Sequence, residues 1–88
     1  MTPPLGLIAG AGRFPFHVAR EAKRQGTSVV AVGIHGWVDG SLADHVDTYE
    51  EMSIGQLGRL IAFLKSQGIC QAIMAGKVTK EVLLNERS

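Results

Sequence analysis

Leu5-Gly6-Leu7-Ile8-Ala9-Gly10-Ala11-Gly12-Arg13-Phe14-Pro15 decides the fold. The run Leu5–Ala9 is nearly continuously apolar, which suits a strand covered on both faces within a parallel sheet. Glycines follow at positions 10 and 12. Pro15 then fits the first turn of a helix, where its missing N–H costs nothing. A strand that empties through glycines into a helix leaves unpaired backbone N–H groups at the helix start, backed by the positive end of the helix dipole. Such a turn binds phosphate or another anion.

Outward from this stretch the pattern repeats. The helix is expected to run to about Gln25, with Phe14, Val18 and Ala22 on one stripe and Ala19 beside it. Arg20, Glu21, Lys23 and Arg24 take the other side, and Gly26 supplies the stop. Residues 28–34, rich in β-branched side chains, read as a second buried strand. Residues 35–47 are loop-like, and a short third strand is expected over residues 47–51. Ser53-Ile54-Gly55-Gln56 is a capping box with Ser at N-cap and Gln at N3, and Met52 and Leu57 stand at the staple positions. Ile54, Leu57, Leu60, Ile61 and Leu64 form the buried stripe of that helix, which Gly68 ends. A fourth strand over residues 69–75 again runs into glycine, at Gly76. Thr79 stands as the cap of a last helix over residues 80–86.

The order β-α-β-β-α-β predicts an α/β fold: a Rossmann-like open parallel sheet with flanking helices and right-handed crossovers. Eighty-eight residues make one small domain or a piece of one. The sequence stops straight after a strand and a capping signal, which reads as an incomplete α/β unit. Hydrophobic content of 45% is too high for disorder. A net charge of +1 with no basic stripe gives no reason to expect nucleic acid as a partner. Cys70 is the single cysteine, so no internal disulfide forms; within its apolar run it reads as a buried strand thiol in a reducing compartment. With no signal-peptide pattern and no run of ~18 apolar residues, a cytoplasmic location is expected.

Ligands of open parallel sheets bind beyond the carboxyl ends of the strands, where strand order reverses. With order 3-2-1-4, the first and fourth strands are neighbours, and Gly10-Ala11-Gly12-Arg13 and Gly76-Lys77-Val78-Thr79 line one crevice. There Gly10 and Gly12 permit tight turning and close backbone approach. Arg13 offers its planar fork to a phosphate or carboxylate, Lys77 a second positive charge, and Thr79 a hydroxyl. A dinucleotide fingerprint needs a third glycine and an acid after the second strand; Pro15 and the strand end Gly33-Ile34-His35 depart from both. Gly76-Lys77 does not make a P-loop, because residue 71 is Gln and residue 78 is Val. Asp44-His45-Val46-Asp47, with His35 and Asp39, reads as a polar loop rather than a metal cluster. No Ser–His–Asp set emerges from the order of residues, and Trp37 reads as a loop anchor.

Leu5 to Pro15, the spaced helix Ile54-Gly55-Gln56-Leu57-Gly58-Arg59-Leu60, and Met74-Ala75-Gly76-Lys77-Val78 together resemble the N-terminal domain of bacterial UDP-2,3-diacylglucosamine pyrophosphatases of the LpxI type. The resemblance covers essentially the whole chain. It implies hydrolysis of UDP-2,3-diacylglucosamine to lipid X and UMP, a step of lipid A biosynthesis at the cytoplasmic face of the inner membrane, with peripheral membrane contact. It implies Mg2+ or Mn2+ as cofactor and a substrate held between two domains, with contacts carried over to Gly12, Val78 and Thr79. It also implies that this chain is the N-terminal substrate-binding portion, while the catalytic acid and metal site belong to a C-terminal domain. Two other readings stand beside it. One is a nucleotide- or dinucleotide-binding module without hydrolysis. The other is a fragment that associates, as a homodimer for example, through an apolar sheet edge.

Overall fold

The computed structural model describes residues 3–77. Its elements are β1 (Leu5–Ala9), α1 (Phe14–Arg24), β2 (Val29–Ile34), a 3-10 helix (Gly40–His45), β3 (Thr48–Met52), a 3-10 turn (Ile54–Gln56), α2 (Leu57–Ser66) and β4 (Gln71–Ala75). The four strands make one sheet in the order β3-β2-β1-β4, and every pairing is parallel. The expected α/β architecture is therefore present, and β1 and β4 are neighbours.

Alternation along the strands sorts the core into two layers. Leu7, Ala9, Val29 and Ala31 point to one face, where they meet Ala19 and Ala22 of α1 and Leu42 of the 3-10 helix. Val30, Val32, Ile34 and Met52 point to the other, where Leu60 and Leu64 of α2 cover them. Each of those two leucines contributes about 2 kcal/mol by leaving water. All six residues of β2 are buried, as a strand with a helical layer on both sides must be. Trp37 packs against the α2 layer, as a loop anchor does.

Both helices end as their glycines require. Gly26 N–H bonds Lys23 O and Thr27 N–H bonds Ala22 O; Gly68 N–H bonds Lys65 O and Ile69 N–H bonds Leu64 O. Each is a Schellman closure with its glycine at positive φ, +79° and +76°. This closure draws Ile69 and Cys70 into the turn, so β4 begins at Gln71 rather than at residue 69. The third strand likewise starts one residue later than expected. Asp47 precedes it and ties it to β2: its carboxylate accepts from Val29 N–H at 2.7 Å, and its own N–H donates to Val29 O at 3.0 Å. At the start of the second helix Gln56 reaches back to Ser53 N–H at 3.1 Å, one half of the capping box, and a 3-10 turn precedes the α-helix proper.

Three side chains expected inside are outside. Cys70 is exposed, Phe14 is 61% exposed and Ile61 is 45% exposed. The cause is common to Cys70 and Phe14: the flank of the sheet along β4 is bare among the described residues. Four of the five β4 residues are exposed, Met74 by 65%. Ile61 lies on the turn of α2 that Leu60 and Leu64 turn away from the sheet.

Gly33 in the middle of this packing has a steric reason. A Cβ there would strike the Tyr49 hydroxyl and come within 2.6 Å of Val38 Cγ1. Gly33→Ala is expected to destabilise the chain by about 1–3 kcal/mol, the range for overpacking a core. A urea midpoint unchanged from that of the parent chain would contradict this packing.

Candidate functional site

The two glycine turns are not merely adjacent; they are bonded together. Gly10 N–H donates to Ala75 O at 2.8 Å, Ala11 N–H to Lys77 O at 3.0 Å, and Lys77 N–H to Ala11 O at 2.9 Å. The last two make an antiparallel bridge between Ala11 and Lys77, just beyond the parallel strands. Glycine is required for this approach. A Cβ on Gly10 would lie 2.7 Å from Lys77 O, and one on Gly76 would lie 2.8 Å from Ala11 O. Neither obstacle is a side chain that can swing away. Gly76 also sits at φ +100°, which L side chains rarely adopt.

This bonding changes which amides an anion can use. The Gly10 and Ala11 N–H groups are spent on Ala75 O and Lys77 O. Gly12, Arg13 and Phe14 N–H groups have no hydrogen-bond partner among the described residues. Gly12 has φ +97°, and Arg13 follows at φ −95°, ψ −14°. A left-handed residue followed by a right-handed one turns successive N–H groups into a concavity suited to an anion. Open space surrounds the Cβ position of Gly12. Arg13 is the N-cap of α1, and its donor-only guanidinium cannot accept from the first amides of the helix. The Arg13 and Lys77 side chains are both exposed at this edge. Val78 and Thr79 lie outside the described residues.

A second group stands at the same carboxyl edge of the sheet, and sequence order alone did not reveal it. His35 Nδ1 lies 2.6 Å from Glu51 Oε2, and the Tyr49 hydroxyl donates to Glu51 Oε1 at 3.0 Å. Burial, followed by the bond to Glu51, pushes the Tyr49 phenol from 10.0 up to about 12. The hydrogen bonds from His35 and then Tyr49 hold the Glu51 carboxyl below its ordinary value. Asp39 is also lowered, chiefly by the Ser41 N–H and hydroxyl; Arg13 adds a smaller attraction. Asp39 in turn acts on Tyr49. A chain of charge therefore links the Gly12 turn to the tips of β2 and β3. The available signal was Tyr49-x-Glu51 on one face of β3, with glycine opposite at position 33.

The polar loop does not gather around a metal. His45 packs edge-on against Phe16 at 5.4 Å, Asp47 is bonded to Val29 N–H, and His35 belongs to Glu51. Among the described residues, no three His, Cys, Asp or Glu side chains are placed to hold a metal ion. A groove of about 710 Å³ runs along α1, lined by Pro3, Pro4, Leu5, Val18 and Cys70 and touching the Gly12 turn only through Phe14. Its walls are largely apolar, and the turns lie beyond its end. No helix among the described residues is long and apolar enough to cross a membrane.

Tyr49 is the only tyrosine of the chain, so tyrosinate absorbance reports it alone. Its titration is expected to have a midpoint near 12. In Glu51→Gln the midpoint should fall toward 10.0 without reaching it, because burial remains. The sign follows from linkage: the neutral hydroxyl stabilises the fold fully below the unfolded value, and that contribution is lost as pH rises through the folded one. A parent midpoint at the ordinary tyrosine value would contradict the contact.

The sequence comparisons agree with this geometry. The family model of the LpxI N-terminal domain matches residues 4–88. The chain is also 30% identical over 78 residues to the UDP-2,3-diacylglucosamine pyrophosphatase LpxI of Caulobacter vibrioides. That alignment covers 86% of this chain and 26% of the relative, so the chain spans about a quarter of the length of the curated protein it matches. On the match over nearly its whole length, the chain belongs to the LpxI N-terminal domain family.

Proposed function

We propose that this chain is the substrate-binding portion of a UDP-2,3-diacylglucosamine pyrophosphatase acting in lipid A biosynthesis, and that it holds the phosphate region of the UDP-lipid. The observation that carries this reading is the fused pair of turns. Ala11 and Lys77 bond reciprocally, and the Gly12, Arg13 and Phe14 amides are left without a hydrogen-bond partner among the described residues. Family membership supplies the substrate class, through the relative's name. Hydrolysis to lipid X and UMP is assigned to the whole enzyme.

The chemistry of a pyrophosphate suits what is present. Oriented amides and cations stabilise phosphate oxygens without reorganising. Arg13 offers a two-pronged donor, and Lys77 a point charge. Gly10 and Gly76 serve indirectly, by letting the turns meet. Val78 and Thr79, which follow Lys77 in the sequence, belong to the proposed contacts. Mg2+ or Mn2+ enters as a requirement of the whole enzyme. The donors at these turns are amides and cations, which do not fit a metal. In this reading the protein works in the cytoplasm, peripheral to the inner membrane. The bare β4 flank then receives further protein, either the catalytic domain or a second copy.

Calorimetric titration with UDP tests the reading. UDP is expected to bind and uridine to bind far more weakly. Arg13→Ala and Lys77→Ala should each lower UDP affinity roughly threefold to tenfold, in line with the loss of one charge-assisted contact. Gly12→Val should abolish binding. Affinity for NAD equal to that for UDP would favour the dinucleotide module instead. Retention of UDP by all three variants would remove these turns from the site.

A further inference from the structure

No acid follows β2 in the sequence, yet the fold places one at its tip. In the β2–β3 register Gly33 pairs with Glu51, and paired residues point to the same face. Gly33 has no side chain, so the space above it is taken by the Tyr49 hydroxyl. That hydroxyl donates to one Glu51 oxygen at 3.0 Å, and His35 Nδ1 approaches the other at 2.6 Å. The carboxylate is thereby held from two sides.

Its remaining capacity is specific. An ionised carboxylate accepts at about four lone-pair sites, and Tyr49 and His35 use one on each oxygen. By that count each oxygen keeps acceptor capacity, on a side chain 37% exposed. Two adjacent hydroxyl groups match that pair of acceptors. Because the carboxylate only accepts, His35 Nδ1 carries the proton, and Nε2 belongs to a side chain 73% exposed. As a stabiliser the exposed pair contributes little, so its fixed geometry is not explained by stability.

The location agrees. Ala9, Gly33 and Glu51 are in register across three strands, which sets the Glu51 backbone about 10 Å from the end of β1. The carboxylate reaches back from there toward the β2 tip. This is the scale of an extended nucleoside diphosphate, measured from its phosphates to its ribose hydroxyls. Arg13, at the Gly12 end, attracts Asp39, and Asp39 in turn acts on Tyr49, the partner of Glu51.

We propose that Glu51, positioned by His35 and Tyr49, is a subsite for a vicinal diol, the ribose 2′- and 3′-hydroxyls of a nucleoside diphosphate whose phosphates occupy the Gly12–Phe14 amides. The subsite rests on the phosphate reading above. It makes an acid from β3 serve where a dinucleotide fold uses one from β2.

The test titrates the full chain with UDP and with 2′,3′-dideoxyuridine 5′-diphosphate. The parent chain should prefer UDP by roughly tenfold to a hundredfold, the effect of two hydroxyl bonds to a charged acceptor. In Glu51→Gln the preference should drop to about threefold or less, with affinity for the dideoxy nucleotide unchanged. Tyr49→Phe, which keeps the charge but frees the carboxylate, should lose part of the preference. Three results would overturn the subsite. If the parent binds both nucleotides equally and Gly12→Val abolishes both, the subsite fails while the phosphate reading stands. If Glu51→Gln keeps the full preference, another group reads the diol. If the parent binds neither nucleotide, the phosphate reading fails and the subsite falls with it.

Discussion

The reciprocal pair of hydrogen bonds between Ala11 and Lys77 is the contact on which the rest of the site depends. Parallel strands end side by side, but nothing in a parallel ladder obliges their outgoing loops to meet. Here two glycines remove the only atoms that would keep the loops apart. Each such bond contributes about 1 kcal/mol net, a modest figure, yet together they set where β1 hands over to α1. The bonds consume the first amides of the turn and so define the anion cradle as Gly12 to Phe14. A glycine-rich turn thus divides its labour: Gly10 and Gly76 serve structure, and Gly12 serves the open side.

The sheet order was legible because its causes are local. Near-continuous apolar runs in β1 and β2 demand cover on both faces, and amphipathic helices follow β1 and β3. Gly26 and Gly68 mark helix ends by a conformation that other residues avoid. The convergence of the two turns followed from strand order and needed no side chain. The fusion of those turns was not legible, because it depends on a Cβ that is absent at two positions 66 residues apart, Gly10 and Gly76. Glu51 was missed for a related reason: which residue stands at the tip of β2 depends on the register of β3. Cys70 misled because its apolar neighbours suggested a covered strand, whereas the β4 flank is bare among the described residues.

Charge is distributed to suit a polar, extended ligand. Cations stand at the Gly12 turn and its partner turn, in Arg13 and Lys77, and a held carboxylate stands at the tip of β3, in Glu51. Asp39 feels the charge of Arg13. The apolar groove along α1 is separate from this row and adjoins it only at Phe14. One small domain therefore carries two surfaces of opposite character that meet at the start of one helix.

The central claim is that the fused turns present the Gly12, Arg13 and Phe14 amides to a nucleotide phosphate. Amide chemical shifts of the isotopically labelled chain, followed during addition of UDP, test it most directly. The account predicts the largest shifts at Gly12, Arg13 and Phe14, with Gly10 and Ala11 moving less because their protons are held by β4. Shifts confined to the α1 groove, or spread evenly without a maximum at these three residues, would contradict it.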